Sequence, residues 1–474
     1  MTSFLDTPEF QRVYCNRTLN MRSIDAIGYD MDYTLIQYRV VEWEQRAYDY
    51  AKNKLLAMGW DVADLAFDPT LIVRGLVIDV QHGNLLKVNS FGYVKHSFHG
   101  TQPIPLETQR ALYSRTRVSL AERRYIFLNT LFSLSEACLY AQLVDKLDAR
   151  VLPGAMGYSD LYQKTRACID ETHFEGQLKA EIMQYPERFV QLDPYTPMAL
   201  LDQKRAGKKL LLITNSEWHY TSAMMSYVFD RFLPGMTWKD VFDVVIVSAR
   251  KPEFFSHKSP LFEIVNEEGL LKPSLTGLYQ GGVFLGGDAT QVEEFLGIPG
   301  DQILYVGDHI WGDVQVSKSA LRWRTALVMH ELEEDLYAVK AFQETEQKLE
   351  AMMQKKSVME RSLSMIRLQL QRLEQGYGEN VLPSHEELKK QFHSTRQALV
   401  KLDAEIAPWA EKSSRLNNER WGLMMRAGND KSHLARQIER YADIYMSKVS
   451  NMMYATPFAY LRARRGLMPH DIEI

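Results

Sequence analysis

The sequence predicts an α/β protein with a mainly parallel sheet, on three observations. Several short apolar runs end in polar residues: "AIGYDMD" (26–32), "KLLLITNS" (209–216), "FDVVIVSARK" (242–251), "QILYVGD" (302–308) and "RTALVMHEL" (324–332). The runs are continuous rather than alternating, which suits a sheet covered on both faces. Helix-like segments lie between them, such as "SEWHYTSAMMSYVFDRF" and "TQVEEFLGI", and strand–helix alternation argues for parallel strands. In such sheets ligands collect at the carboxyl ends of the strands. Asp30, Thr214, Lys251 and Asp308, which close four of these runs, are expected to meet there.

Taken in order, the elements fall into three parts. The first run and the second are separated by almost 180 residues, far more than a loop spans. Residues 41–194 are therefore read as an insertion, mixed but mostly helical, within a catalytic core made of 1–40 and 195–335. In "FLGGDATQVEEFLG", Asp288 reads as a turn and helix N-cap rather than a catalytic acid. From 336 to 474 the chain reads as a helical hairpin and a tail packing on the core. Phe342, Leu349, Met352, Met359, Leu363, Ile366, Leu370 and Leu373 recur at threes, fours and sevens, as on one helix face. "GYGENVLP" breaks that spacing, "SHEE" at 384–387 reads as a capping box, and Leu388, Phe392, Leu399, Leu402 and Ile406 resume it.

The gross numbers narrow the function. A chain of 474 residues favours two or three domains. With 46% hydrophobic residues, a net charge of −4 and a pI near 6.3, nothing points to nucleic acid or a membrane surface as partner. Cys15, Cys138 and Cys168 are odd in number and far apart, which fits neither a disulfide framework nor a cysteine metal site. No signal-peptide core opens the sequence, and no apolar stretch approaches the roughly 20 residues that span a bilayer. A cytoplasmic protein is expected.

The chemistry lies at the strand ends. Two aspartates flanking one residue, Asp30 and Asp32, either start a loop and cap the next segment or hold a hard cation. They can also divide labour. Asp30 can attack phosphorus and form an aspartyl-phosphate, and Asp32 can protonate the leaving oxygen and then deprotonate water. Thr214 and Asn215 can hydrogen-bond phosphoryl oxygens, and Lys251 can neutralise both nucleophile and phosphate. In "YVGDHIWGD", Asp308 can complete a metal shell and Asp313 can orient it. Each element alone is commonplace, whereas the four in this order, each closing an apolar run, are specific.

DxDxT, then Thr/Ser, then Lys, then GDxxxGD resembles the haloacid-dehalogenase-like superfamily, here as "DMDYT", Thr214, Lys251 and "GDHIWGD". The resemblance implies a Rossmann-like core, Mg2+ held by Asp30, Asp32, Asp308 and Asp313, and an aspartyl-phosphate intermediate. Asp32 supplies a carboxylic acid that the family's dehalogenases lack, which favours phosphoryl transfer. The chain further resembles the cytosolic purine 5′-nucleotidases selective for IMP and GMP, through "FLNTLFSLSEACLYAQLVD", "TRACIDETHFEGQLK", "TNSEWHYT", "ARKPEFF", "QIERYADIY" and "LMPH".

On a helix, Arg166, Asp170 and His173 share one face through i+4 and i+3 steps. A carboxylate beside a cation can read a purine edge. The resemblance implies substrate binding by Arg166, Asp170, His173, Lys179, Asn129, Phe132, Asn215 and Ser216. It also implies a regulatory purine nucleotide at Gln437, Arg440 and Tyr441, a dimer or tetramer, and a nucleoside phosphotransferase side reaction. The expected activity is Mg2+-dependent hydrolysis of IMP, GMP, dIMP and dGMP. A phosphatase for a sugar phosphate or other phosphomonoester is the alternative on the same core. A non-catalytic nucleotide-binding scaffold is the alternative from another class.

Overall fold

The computed structural model describes residues 7–174, 176–378, 383–464 and 466, excluding the side chains of 172–174. The chain divides into two units, Met1–Glu333 with Met424–Ile474, and Glu334–Leu423.

A ten-stranded sheet organises the first unit. In chain order its strands are β1 (Tyr14–Cys15), β2 (Ala26–Tyr29), β3 (Lys209–Ile213), β4 (Val244–Val247), β5 (Leu261–Ile264), β6 (Leu271–Pro273), β7 (Gly282–Gly286), β8 (Ile303–Gly307), β9 (Arg324–Val328) and β10 (Ile444–Met446). The spatial order is β1-β10-β9-β8-β2-β3-β4-β7-β5-β6. From β10 to β7 the seven strands are parallel. β1 closes one edge antiparallel and the β5–β6 hairpin closes the other. β2, β4 and β8 are buried along their whole length, as continuous apolar runs require when helices cover both faces. Gly28 on β2 leaves room for a neighbouring ring, since a Cβ there would lie 2.9 Å from Tyr305 Cδ2.

The insertion leaves the sheet after β2. A short strand, Gln37–Tyr38, pairs with Val190–Gln191 at the insertion's far end, so the segment starts and finishes at one place. Its main helices are α1 (Val40–Ala57), α2 (Leu134–Asp148), α3 (Tyr158–Phe174) and α4 (Gln177–Gln184). It also holds a five-stranded antiparallel sheet. The strands of that sheet carry polar and charged residues, such as Asn84, Lys87 and His96, and so lack the all-apolar runs that mark the core in sequence. Back in the core, α5 (Trp218–Phe229) follows β3.

The second unit is the expected hairpin, formed by α6 (Leu332–Gln375) and α7 (His385–Ser414). Lys356 pairs with Asp403 at 2.7 Å and His385 with Glu374 at 3.2 Å. Asn417 Nδ2 donates to Asp335 at 2.7 Å, so the hairpin's two ends lie together. Leu349, Leu402 and Ile406 form its core with Met352 and Met359 against them. Ser384 and Glu387 make the capping box.

The tail returns to the first unit. α8 (His433–Tyr441) and β10 group with the catalytic unit rather than with the hairpin, and β10 is a member of the main sheet beside β9. A three-residue strand, "IYM", is too short to show a period, so the sequence offers no sign of it. Residues 336–474 thus comprise the hairpin and a tail that adds a strand to the main sheet. Among the described residues, no helix is long and apolar enough to cross a membrane.

Candidate active site

β2, β3 and β8 are parallel neighbours in register, with Tyr29 beside both Leu212 and Val306. Their following residues, Asp30, Thr214 and Asp308, therefore leave the sheet at one edge. The Asp30 N–H still donates to Val306 O at 2.9 Å, which fixes the residue's backbone before its side chain is used.

Lys251 reaches the same point from the loop after β4. Asn215 staples that loop. Its Oδ1 accepts the Lys251 N–H at 2.6 Å and its Nδ2 donates to Lys251 O at 3.0 Å. The Asn215 side chain is thus spent on positioning Lys251, not aimed at a phosphoryl oxygen as the sequence pattern suggests. The Lys251 ammonium has three hydrogens and meets three oxygens: Asp30 Oδ1 at 2.8 Å, Asp313 Oδ1 at 2.7 Å and the Tyr305 hydroxyl at 3.0 Å. Tyr305 passes its own hydrogen to Ile213 O at 2.9 Å. Burial works against the charged lysine, but Asp30 and Asp313 hold it well above its ordinary value.

Asp30, Asp308 and Asp313 are all buried, and one oxygen from each lies within 4.8 Å of the others. Three converging carboxylates fit a hard divalent cation. Burial, with Asp313 close by, pushes the Asp308 carboxyl well above the usual range. Burial likewise pushes Asp30 up to about 6, against the pull of Lys251. A cation among the three would offset that cost. Gly307 makes the cluster possible, since a Cβ there would sit 2.4 Å from Asp313 Oδ2. The His309 N–H donates to that same oxygen at 3.1 Å.

The structure brings Asp32 close but not into the trio. Its Oδ1 accepts from Tyr38 and its Oδ2 from Ser216, each at 2.6 Å. A metal-ligating role for the Asp32 carboxylate is therefore not what this geometry offers, because both oxygens are already engaged away from the three. On Asp30 the contacts to Lys251 and the Met31 N–H both fall on Oδ1 rather than on Oδ2. The Thr214 hydroxyl accepts the Ser216 N–H at 3.1 Å and keeps its own hydrogen to donate.

A cavity of about 220 Å³ opens beside the trio, lined by Asn129, Thr130, Phe132, Glu136, Tyr162, Arg166, Asp170 and His309. Four of the expected substrate residues thus share one space. Arg166 lies 3.4 Å from Asp170 and 3.9 Å from Glu136. Thr130 ties this cavity to the acidic trio by donating to Asp308 Oδ2 at 3.4 Å. His309 borders both. Its Nδ1 accepts the Gly312 N–H at 2.7 Å and burial pushes its pKa down to about 3, so the ring is neutral with its hydrogen on Nε2. Lys179 is not in the cavity lining. It donates to Ser216 Oγ at 3.2 Å and pairs with Glu217 at 3.1 Å. The side chain of His173 and the "LMPH" stretch lie outside the described residues.

The residues expected to bind an effector lie on α8. Gln437 is buried and hydrogen-bonds His433 at 2.9 Å. Arg440 stacks over Tyr441 at 5.1 Å, and the Tyr441 ring meets Trp311 at 5.7 Å. Sequence reading missed Tyr38, Tyr220, Tyr305, Thr130 and Glu136. The tyrosines alone carried a hint, since a buried phenol inside an apolar run needs a partner for its hydroxyl.

A parallel sheet with a lysine-bridged cluster of carboxylates at its carboxyl edge defines the class: a Rossmann-like α/β core with its charged site at the strand ends. The chain belongs to the 5′-nucleotidase family, whose model matches residues 13–473. It is similar to "5'-nucleotidase domain-containing protein DDB_G0275467" of Dictyostelium discoideum, 27% identical over 493 aligned residues that cover 100% of this chain and 77% of the relative. It is also similar to human "5'-nucleotidase domain-containing protein 2", 25% identical over 98% of this chain and 85% of the relative. Among solved structures, CbbY from Rhodobacter sphaeroides in complex with phosphate matches 64% of this chain and 86% of its own, at 14% identity and a TM-score of 0.24. Family membership supports hydrolysis of phosphomonoesters.

Proposed function

We propose that the protein is a Mg2+-dependent 5′-nucleotidase that hydrolyses purine nucleoside 5′-monophosphates, IMP and GMP first among them, with their deoxy forms. The observation that carries this reading is Lys251 seated 2.8 Å from Asp30 and 2.7 Å from Asp313, at the edge of three converging carboxylates.

Asp30, Asp308 and Asp313 would hold the cation, which supplies charge neutralisation for the incoming phosphate. Asp30 Oδ2 attacks phosphorus in line with the ester oxygen, the P–O(5′) bond breaks, and the phosphoryl group becomes an aspartyl-phosphate. Asp32 gives a proton to the departing 5′-oxygen and later takes one from the attacking water. Lys251 and the Thr214 hydroxyl stabilise charge on the transferring group. A nucleoside in place of that water makes the enzyme a phosphotransferase with no further residue. Phe132 supplies a stacking face in the cavity, and Arg166 and Asp170 supply the donor and acceptor for a purine edge. On the same reading a regulatory purine nucleotide sits at α8, against Arg440 and Tyr441.

The test is Asp30→Asn assayed on IMP. Phosphate release is expected to vanish while nucleotide binding by calorimetry survives. Undiminished release would overturn the mechanism, and faster turnover of sugar phosphates than of nucleotides across a phosphate-release panel would overturn the substrate class.

A further inference from the structure

Two short hydrogen bonds hold Asp32, and their directions are forced. Lys179 has only hydrogens to give and donates to Ser216 Oγ at 3.2 Å. The one Ser216 hydroxyl hydrogen is then directed to Asp32 Oδ2 at 2.6 Å. On the other side the Tyr38 hydroxyl donates to Asp32 Oδ1 at 2.6 Å and lies 2.9 Å from the Tyr220 hydroxyl. Having spent its hydrogen on the carboxylate, Tyr38 accepts from Tyr220. Lys179 returns to this second arm, its ammonium 4.8 Å from the centre of the Tyr220 ring. Asp32 thus closes a loop of five side chains that run Lys179, Ser216, Asp32, Tyr38, Tyr220.

Both tyrosines are held from several sides. Tyr38 is 2% exposed and Tyr220 fully buried. Tyr38 packs on Trp43 at 4.4 Å and edge-on to Tyr33 at 5.2 Å. It sits on the strand that starts the insertion, whereas Tyr220 comes from α5 of the core. A carboxylate that must give a proton to one oxygen and take it from another has to keep a fixed bearing through both steps.

We propose that Tyr38, backed by Tyr220, is a positioning residue that aims Asp32 at the leaving oxygen and then at the attacking water. The inference rests on the phosphatase reading above. Neither tyrosine touches the ester. Each acts through Asp32, and the metal trio is left untouched.

The test is Tyr38→Phe, which removes one oxygen and keeps the ring, with Tyr220→Phe as the second variant. The leaving group separates aim from general damage. A nucleoside 5′-alkoxide needs a proton as it departs, whereas p-nitrophenolate does not. Tyr38→Phe is expected to lower kcat on a nucleoside 5′-monophosphate by about 10- to 100-fold with KM within about threefold. The pre-steady-state burst of p-nitrophenolate should keep its rate within about threefold. Tyr220→Phe should show the same pattern, weaker. Unchanged kcat in a folded Tyr38→Phe enzyme would overturn the inference, as would an equal loss in kcat and in the burst. A wild-type chain that releases phosphate from neither ester would instead overturn the phosphatase reading, and the inference with it.

Discussion

Lys251 shows how much one side chain carries. It is the cation shared by Asp30 and Asp313, buried with both. Removing one partner of a buried charge cluster leaves the others uncompensated, at about 3–5 kcal/mol. Lys251→Met is therefore expected to lower kcat by about 10²- to 10³-fold and to destabilise the fold in chelator. The pH dependence has a definite sign. Burial already pushes Asp30 up to about 6, and without the lysine its carboxyl rises further. The folded variant then keeps a proton that the unfolded chain releases near pH 4. Its stability should fall as pH climbs past that point and recover on acidification. Thermal melts across pH with the wild type alongside check this, and parallel curves would contradict it. Asp30, Lys251, Asp308 and Asp313 were legible in sequence because each closes an apolar run or belongs to a spaced motif. Asn215 was legible as a site residue but not in its task, because a side chain that grips another residue's main chain leaves no pattern in one dimension. Tyr38 was invisible as an Asp32 partner for a related reason: its place depends on where the insertion returns.

Among the elements, α1 and α2 are joined by a buried acid. Glu44 on α1 is fully buried and its Oε2 accepts the Ser135 N–H in the first turn of α2 at 2.7 Å. That places a carboxyl at a helix N-terminus, where its negative form is favoured, yet burial prevails and pushes the group up to about 7. A carboxyl whose folded pKa stands above its unfolded value stabilises the fold below the unfolded pKa, near 4.5, and that stability is lost as pH rises toward 7. Glu44→Gln, which keeps the acceptor without the charge, should flatten melting temperature against pH between about 4.5 and 7. At pH 8 it should match or exceed the wild type, by up to about 3 kcal/mol. A wild type and variant of equal slope would contradict the assignment. At this scale the parallel strands and the hairpin helices were readable from their apolar periods. The five-stranded sheet of the insertion and β10 were not, because the former carries polar residues on its strands and the latter is three residues long.

At the scale of the whole molecule, every residue placed in the chemistry lies in the first unit, before residue 334. The hairpin unit, Glu334–Leu423, supplies none of them, and Asp335 and Asn417 bring its two ends together. Replacing residues 336–416 by a short Gly/Ser linker should therefore leave kcat on a nucleoside monophosphate within a few-fold of the full chain. A loss of activity in a folded product would assign the hairpin a part in catalysis. The overall plan was legible as a split core around an insertion because nearly 180 residues cannot be a loop. A tail packing on the core was expected, but its place in the main sheet was not legible, since nothing local in "IYM" marks which sheet it joins.

In the proposed mechanism Asp30 takes the phosphoryl group while Asp32 manages the proton. Asp32→Asn mixed with p-nitrophenyl phosphate, quenched in acid and mapped by peptide mass, tests it most directly, because a leaving group that needs no proton lets the intermediate form while its hydrolysis stalls. One phosphoryl group is expected on the peptide that contains Asp30, absent when Asp30→Asn is added. A p-nitrophenolate burst with no covalent phosphate, or with phosphate on another residue, would contradict it.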